Sequence, residues 1–404
     1  MISVEEALAR LLAPLAAVPP EQVSIAEAIG RVLAEDVAAR RTQPPFAVSA
    51  MDGYAVRASD VAQVPARLRI VAEIPAGAGF GGVLGAGEAA RIFTGAPLPE
   101  GADAIVIQED TERHGDQVDI REGAPRGRYV RRAGLDFAEG EVLLHAGRRL
   151  TPRDIGLAAA MNRPWLFVYR RPRVAILSTG DEIVMPGDPI GPHQIVSSNA
   201  LALCAFVTAC GGVPVLVGNA PDDPDALRNI AAAARGVDLF VTTGGVSVGE
   251  HDLVRGVLSE DGLTIDFWEI AMRPGKPLMF GQYRGTPMVG LPGNPVSTLV
   301  CSLLFLKPAL NRLSGLPDGA EGPASARLGV AVKQNDRRQD YLRARLVRAA
   351  DGIVEAVPFE VQDSSMMRPL AASDCLVVRP PHAAALPAGS IVPIIAFSAG
   401  ALSL

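Results

Sequence analysis

RVAILSTGDE, residues 173–182, decides how this chain is read. Four apolar residues, Val174 to Leu177, stand between an arginine and a cluster of two hydroxyls, a glycine and two acids. A short apolar run bounded by turn residues marks a strand buried on both faces. Beyond it the chain alternates: a helix over 198–210, a strand over 213–217, a helix over 224–234 and a strand over 238–242. Apolar runs at 263–270, 278–280 and 288–291 come next, and then a helix over 295–306. Strands alternating with helices at these lengths predict a parallel sheet with helices on both faces.

Outward from that unit the texture changes. Residues 1 to about 43 read as helices, with Val4, Ala7, Leu8, Leu11 and Leu12 on one face, a break at Pro19-Pro20, and helical apolar spacing over 25–37. Between 48 and 141 short β-like runs (68–74, 90–94, 104–108 and 117–120) separated by Gly- and Pro-rich turns predict a compact β domain. Helix returns over 150–165, and residues 324–404 look like strands again with no strong helix signal.

At 404 residues the chain has room for two to four domains and for cores that need no disulfide or metal staples. With 49% hydrophobic and 20% charged residues it should fold throughout, and a net charge of −6 offers no general attraction for nucleic acid or an anionic membrane. The four cysteines, Cys204, Cys210, Cys301 and Cys375, form no CxxC, and three sit in apolar runs, which reads as free thiols of the cytoplasm. Acidic residues stand where a secretion signal needs positive charge. The longest uncharged stretches, 191–220 and 285–306, are broken by glycine and proline, so no membrane span is expected.

In a parallel α/β unit, ligands sit beyond the carboxyl ends of the strands. Three loops there are loaded with chemistry: 177–182 with Thr179, Gly180, Asp181 and Glu182; 241–252 with Gly244, Gly245, Ser247 and Asp252; and 291–297 with Pro292, Asn294, Pro295 and Ser297. Each loop alone reads equally as a well-made turn, but three at one sheet edge suggest a pocket for a phosphorylated ligand. The Arg273-Pro274-Gly275-Lys276-Pro277 turn adds cations, and Lys276 is one of only three lysines among 38 basic residues. Glu182, Asp222 and Asp252 each follow a predicted strand and would offer oxygen ligands to a hard cation such as Mg²⁺; singly, each also fits a cap or turn. The five histidines show no metal-ligand spacing, and no GxSxG is present.

Six motifs in order, SAMDGYAV (49–56), FTGAPLPEGADAIV (93–106), STGDE (178–182), TTGGVSVGEHD (242–252), RPGKP (273–277) and LPGNPVS (291–297), resemble the molybdopterin molybdenumtransferases, the MoeA and gephyrin E-domain family. The resemblance spans essentially the whole chain. It implies a multidomain α/β plus β protein with four parts: a helical linker domain (1–47 and 142–170), an inserted β domain (48–141), a molybdopterin-binding α/β domain (171–317) and a C-terminal β-barrel-like domain (318–404). It further implies a homodimer whose active site is shared between subunits. The substrates would be adenylyl-molybdopterin and molybdate, with AMP released and Mg²⁺ or a similar divalent ion assisting. Molybdopterin adenylyltransferase and molybdoenzyme chaperones are the implied protein partners.

By motif position the resemblance assigns Asp52, Thr94 and Asp136 to the face that reaches the partner's pocket. Glu182, Asp222 and Asp252 form the acidic set near metal and pyrophosphate, and Lys276 with Arg273 are cations for molybdate or phosphate. Ser247, Ser297 and Arg343 complete the oxyanion contacts. Such charge neutralisation suits cleavage of a phosphoanhydride and capture of a tetrahedral dianion. Three departures stand out: Ala47-Val48 replaces an Asp-Asn pair, Arg273 replaces a lysine, and Asp363-Ser364-Ser365 stands where a Gly-Ser-Gly turn is common. A molybdopterin adenylyltransferase would resemble 171–317 alone and leave the motifs at Asp52 and Thr94 unexplained. A non-catalytic molybdopterin-binding scaffold would not need the acidic set, which is present.

Overall fold

The computed structural model describes residues 1–245, 253–317 and 324–397; Ser247 and Asp252 lie outside them. The α/β sheet has six strands in the order Val213–Ala220, Arg173–Thr179, Leu239–Thr243, Thr286–Leu291, Pro277–Tyr283 and Leu263–Glu269. Four run parallel, as the alternation predicts. Pro277–Tyr283 runs against both its neighbours, so the sheet is mixed and the expectation of a purely parallel one is corrected. The cause is the two-residue link Arg284-Gly285, both at positive φ (50° and 83°), a geometry that joins only antiparallel strands.

Both faces of this sheet are covered. Asn199–Ala209, the helical run from Pro295 to Leu313 and the N-terminal helix Val4–Leu12 pack on one side, bringing Leu203, Val300, Phe305, Ala7 and Leu11 against Val174, Ile176 and Val241. Pro224–Ala231 and Leu253–Glu260 cover the other, with Leu227 and Val254 against Ala175, Leu177 and Phe240. The run from Pro295 to Leu313 is long and apolar enough to cross a bilayer by length and composition, yet Val296, Val300, Cys301, Phe305, Leu306, Ala309 and Leu310 are all buried in the core. It continues past the predicted end at 306 because a π-turn, Ser302–Leu306, absorbs Pro308, which lacks an amide and would clash with a regular preceding turn.

The N-terminal third departs from expectation. Helix forms over Val4–Leu12, capped by Ser3, whose hydroxyl accepts from the Glu6 amide at 3.0 Å. Residues 25–37 are not a helix: Ile25–Glu27 is a single 3₁₀ turn, preceded by strand Pro20–Ser24 against Trp165–Tyr169. Gly30 at φ +72° stops helical growth, and the apolar residues expected on a helix face (Ala28, Leu33, Val37) reach the same core from extended chain, against Leu144, Leu150, Leu166 and Val168. The helix expected over 150–165 is Pro152–Ala160.

The inserted region folds as a six-stranded sheet ordered Ala104–Ile107, Gly53–Val56, Glu88–Ile92, Ala66–Ile74, Gln117–Ile120 and Thr111–His114. In the C-terminal region Gln339–Arg348, Val354–Pro358, Ala324–Leu328, Ile391–Ala396 and Cys375–Arg379 close on themselves as a five-stranded barrel. One short helix, Met367–Ala371, interrupts the expected all-strand pattern and buries Leu370. Met272–Arg273 adds to the barrel by pairing with Gln339 and Asp340, which ties the barrel to the α/β region.

Candidate active site

Connections from neighbouring strands leave to opposite faces: Arg173–Thr179 feeds Asn199–Ala209 on one side, and Leu239–Thr243 precedes Leu253–Glu260 on the other. Such a reversal opens a crevice at the carboxyl ends of those two strands. There the backbones nearly touch, since a Cβ on Gly244 (φ +88°) would lie 2.9 Å from the Thr179 carbonyl oxygen and one on Gly245 2.9 Å from the Thr179 hydroxyl. Glycine at 244 and 245 is required for closeness as well as for φ. Asn199 then holds the next loop in place, donating to the Thr243 hydroxyl at 2.9 Å and the Gly293 carbonyl at 2.7 Å.

The reversed strand decides what else reaches this edge. Because Pro277–Tyr283 runs antiparallel to Thr286–Leu291, its start lies where its neighbour ends, so the 273–277 turn stands beside the 291–297 turn. The contact is intimate: a Cβ on Gly275 (φ +107°) would fall 2.4 Å from the buried Cys301 sulfur. The turn after Leu291 is fixed by Thr298, whose hydroxyl donates to the Pro292 carbonyl at 2.5 Å and the Asn294 carbonyl at 3.1 Å. From the barrel, Ser364 accepts from the Asn294 amide group at 2.9 Å through its hydroxyl and from the Val296 N–H at 3.1 Å through its carbonyl. The Asp363-Ser364-Ser365 departure therefore still supplies a contact to this turn. Ser297 is buried beneath it.

Two strand ends carry the acids. Gly180 (φ +126°) has the Glu182 carboxylate folded over it, 2.2 Å from where a Cβ would stand. Asp181, to which the resemblance assigns no role of its own, accepts from the Asp222 N–H at 3.0 Å and joins the two loops. Asp223, not Asp222, caps helix Pro224–Ala231 by accepting from the Ala226 N–H at 2.7 Å, which leaves the Asp222 carboxylate outside the cap. Among the described residues no three His, Cys, Asp or Glu side chains cluster closely enough to hold a metal ion. The expected acidic set is thus represented by Glu182 and Asp222 on neighbouring strands, with Asp252 outside the described residues.

The three expected cations are all engaged. Lys276 Nζ lies 3.2 Å from Glu269 Oε1, at the end of strand Leu263–Glu269. Arg273 is paired with Asp340 and, at 3.3 Å, with Asp336. It stands at the seam with the barrel because its strand pairs with Asp340 there, and without a ligand its charge serves an ion pair between the two regions. Arg343, only 1% exposed, lies inside the barrel wall, where burial pushes its pKa down. Its Nε donates to Gln362 Oε1 at 3.1 Å and its Nη1 to the Met366 carbonyl at 3.2 Å, so the buried guanidinium organises the 359–366 loop.

Asp52, Thr94 and Asp136 form a second, separate group. Asp52 Oδ1 accepts from the Thr94 N–H at 2.7 Å and from its hydroxyl at 2.8 Å. Those two bonds, the amide's first, together with the Arg91 charge hold the exposed Asp52 carboxyl below the usual carboxylate range. It stays ionised until the pH falls below that range. Thr94→Val removes the hydroxyl bond, and the Asp52 carboxyl is expected to titrate at higher pH by NMR; an unchanged titration would contradict this cause.

Asp136 lines a cavity of about 790 Å³ with Arg41, Phe46, Val48, Arg131 and Leu135, which reaches Gly95, next to Thr94. Val48 is a buried strand residue paired with Arg131, so the Ala47-Val48 departure leaves the backbone pairing intact and puts one apolar side chain among the charged residues of this cavity. No described hydrogen bond or ion pair joins Asp52, Thr94 or Asp136 to the α/β crevice of the same chain.

The regions carrying these two groups match separate family models. Residues 2–162 match the MoeA N-terminal region (domain I and II), 175–312 a probable molybdopterin binding domain, and 325–397 the MoeA C-terminal region (domain IV). Among curated relatives, a molybdopterin molybdenumtransferase of Nostoc sp. is 40% identical over 344 residues, covering 83% of this chain and 79% of its own. Molybdopterin molybdenumtransferase 2 of Mycobacterium tuberculosis is 39% identical, covering 89% and 91%, and the Haemophilus influenzae enzyme is 33% identical, covering 98% and 99%. Solved structures of a molybdopterin biosynthesis MoeA protein from Pyrococcus horikoshii superpose with TM-scores of 0.85 and 0.84 at 34% and 28% identity. They cover 99% and 98% of this chain and 100% of their own.

Proposed function

Since the chain belongs to the MoeA family of molybdopterin molybdenumtransferases, we propose that it transfers molybdenum from molybdate to the dithiolene of adenylyl-molybdopterin with release of AMP. The observation that carries this reading is the crevice at the strand ends. It brings the Thr179, Gly244 and Asn294 loops, two carboxylates and the Lys276–Glu269 pair to one edge of a single sheet. Glycines 180, 244 and 245 let backbone approach the pterin phosphates closely, and Pro292, Asn294 and Pro295 shape the turn beside them. Lys276 meets an incoming oxyanion by exchanging its Glu269 partner for the ligand, and we propose Ser297, Ser247 and Arg343 as further oxyanion contacts. Asn199, through Thr243 and Gly293, holds the two sides of the crevice in register.

We propose that a divalent cation such as Mg²⁺ joins the site at Glu182 and Asp222, with Asp252 as a third ligand. A hard ion that takes most of its ligands from phosphates and water needs only one or two carboxylates from the protein, and the described donor set fits that. When bound, it would neutralise charge on the phosphate oxygens as AMP leaves. We propose further that the chain works as a homodimer in which Asp52, Thr94 and Asp136 of one subunit complete the crevice of the other. This would explain why two polar groups of one chain are unconnected. We propose a cytoplasmic setting, which four free cysteines support. Molybdopterin adenylyltransferase, as donor of the adenylylated substrate, and molybdoenzyme chaperones, as recipients of the product, are the proposed partners.

AMP release from adenylyl-molybdopterin by the purified protein, with Mg²⁺ and with or without molybdate, tests the reading. Release that requires molybdate and yields active cofactor is expected. Pterin binding without release would overturn it in favour of a scaffold.

A further inference from the structure

We propose that Gln362 is a positioning residue of the transfer reaction, orienting the Arg343 guanidinium and holding the 359–366 loop so that Ser364 fastens the Asn294 turn of the crevice. The proposal rests on the function proposed above, in which Arg343 and Ser297, which follows that turn, meet the oxyanion.

Arg343 is among the largest fully buried side chains, and no carboxylate lies within ion-pair distance of it among the described residues. The Asp363 charge acts on it only from beyond ion-pair distance, so the guanidinium N–H groups must be satisfied by neutral acceptors. Gln362 provides one of the two described acceptors of the guanidinium and binds the backbone of the same residue as well. Its Oε1 accepts from both the Arg343 backbone N–H at 3.0 Å and Nε at 3.1 Å. Its Nε2 donates to the Arg343 carbonyl at 3.0 Å and the Phe359 carbonyl at 2.8 Å. Donors face one end of the amide and acceptors the other, so only one orientation satisfies all four bonds. With Nε taken by Gln362 and Nη1 by the Met366 carbonyl, Nη2 is the one guanidinium nitrogen without a described partner. The amide therefore sets which edge of the guanidinium is left for a ligand.

The same amide closes the loop on its strand, helped by the Phe359 N–H, which donates to the Arg343 carbonyl at 2.9 Å. Two residues on, Ser364 makes its two bonds to Asn294 and Val296, while Asp363 is occupied by Ser365 through N–H and hydroxyl at 2.8 and 2.6 Å. Hydrogen bonds at Gln362 and at Ser364, two residues apart on one loop, thus fasten the barrel strand at one end and the crevice turn at the other. Only glutamine suits the position. Glutamate accepts but cannot donate to two carbonyls, leucine does neither, and asparagine is one methylene too short.

The test uses the full chain as wild type, Gln362→Glu, Gln362→Leu, Ser364→Ala and the Gln362→Leu/Ser364→Ala double variant. Readouts are kcat, KM for molybdate, KM for adenylyl-molybdopterin, and hydrogen–deuterium exchange of residues 294–298 and 359–366. Gln362→Leu is expected to raise the molybdate KM about tenfold and to speed exchange in both segments, with kcat and the pterin KM within about twofold. Gln362→Glu should fall between leucine and wild type, and Ser364→Ala should cost less in the Gln362→Leu background than alone, since coupled residues are non-additive. Wild-type molybdate KM and wild-type exchange at 294–298 in Gln362→Leu would overturn the proposal. So would equal losses in kcat and both KM values, which mark general unfolding. If the wild type shows no molybdate-dependent release, the functional reading fails, and exchange at 294–298 in Gln362→Leu still decides whether Gln362 positions the turn.

Discussion

Gly53→Ala is expected to break the inserted sheet. Strand Gly53–Val56 runs between Glu88–Ile92 and Ala104–Ile107, and a Cβ on Gly53 would stand 2.0 Å from the Val106 carbonyl oxygen and 3.0 Å from the Ile107 Cα. These are backbone atoms of a paired strand, so they cannot swing aside as a flexible side chain would; one strand must leave the other. The loss should exceed the roughly 1–3 kcal/mol typical of an overpacked core, because backbone and not a side chain must give way. The damage also reaches the chemistry. Asp52 precedes Gly53, its carbonyl accepts from the Gln108 N–H at 3.1 Å, and Arg91 donates to the Gly53 carbonyl at 3.0 Å. The measurement is hydrogen–deuterium exchange across 53–56 and 104–107 together with the thermal midpoint. Protection equal to wild type in both strands would refute the steric argument.

Mixed dimers should restore activity that neither parent has. Asp52→Ala and Lys276→Ala are each expected to lower turnover by roughly 10²–10³, the cost of removing one positioned charge from a site of this kind. Lys276→Ala should weaken molybdate use more than pterin binding, because its Nζ is held at the crevice edge by Glu269, not at the glycine loops. If Asp52 of one subunit serves the crevice of the other, each heterodimer has one site with both residues intact and one with neither. Random mixing should then recover about a quarter of wild-type turnover. No recovery, with heterodimers verified by differential tagging, would place each site within one chain.

Much of the candidate site is legible from the chain alone because its signals are local. Thr179-Gly180, Gly244-Gly245 and Pro292 to Pro295 follow apolar runs, and glycine or proline after a strand is a statement about backbone geometry that neighbours do not alter. Arg284-Gly285 is equally local, yet the apolar runs on either side of it look alike for parallel and antiparallel strands, and only its two positive φ angles fix the direction. Residues 25–37 mislead for another reason: apolar residues at three- and four-residue spacing reach one core from a helix or from extended chain, and Gly30 decides between them.

The sequence by itself determined where the strands of the α/β unit end in reactive loops, that the inserted and C-terminal regions are built of strands, and that the residues of the six motifs occur in family order. It could do so because periodicity and turn chemistry act over a few residues. Tertiary structure alone decided which charges are paired. Arg273 meets Asp340 across 67 residues, Lys276 meets Glu269 through a strand reversal, Asn294 meets Ser364 across 70 residues, and Arg343 is enclosed by Gln362. Electrostatic roles depend on distance and burial, and both are set only when remote segments pack.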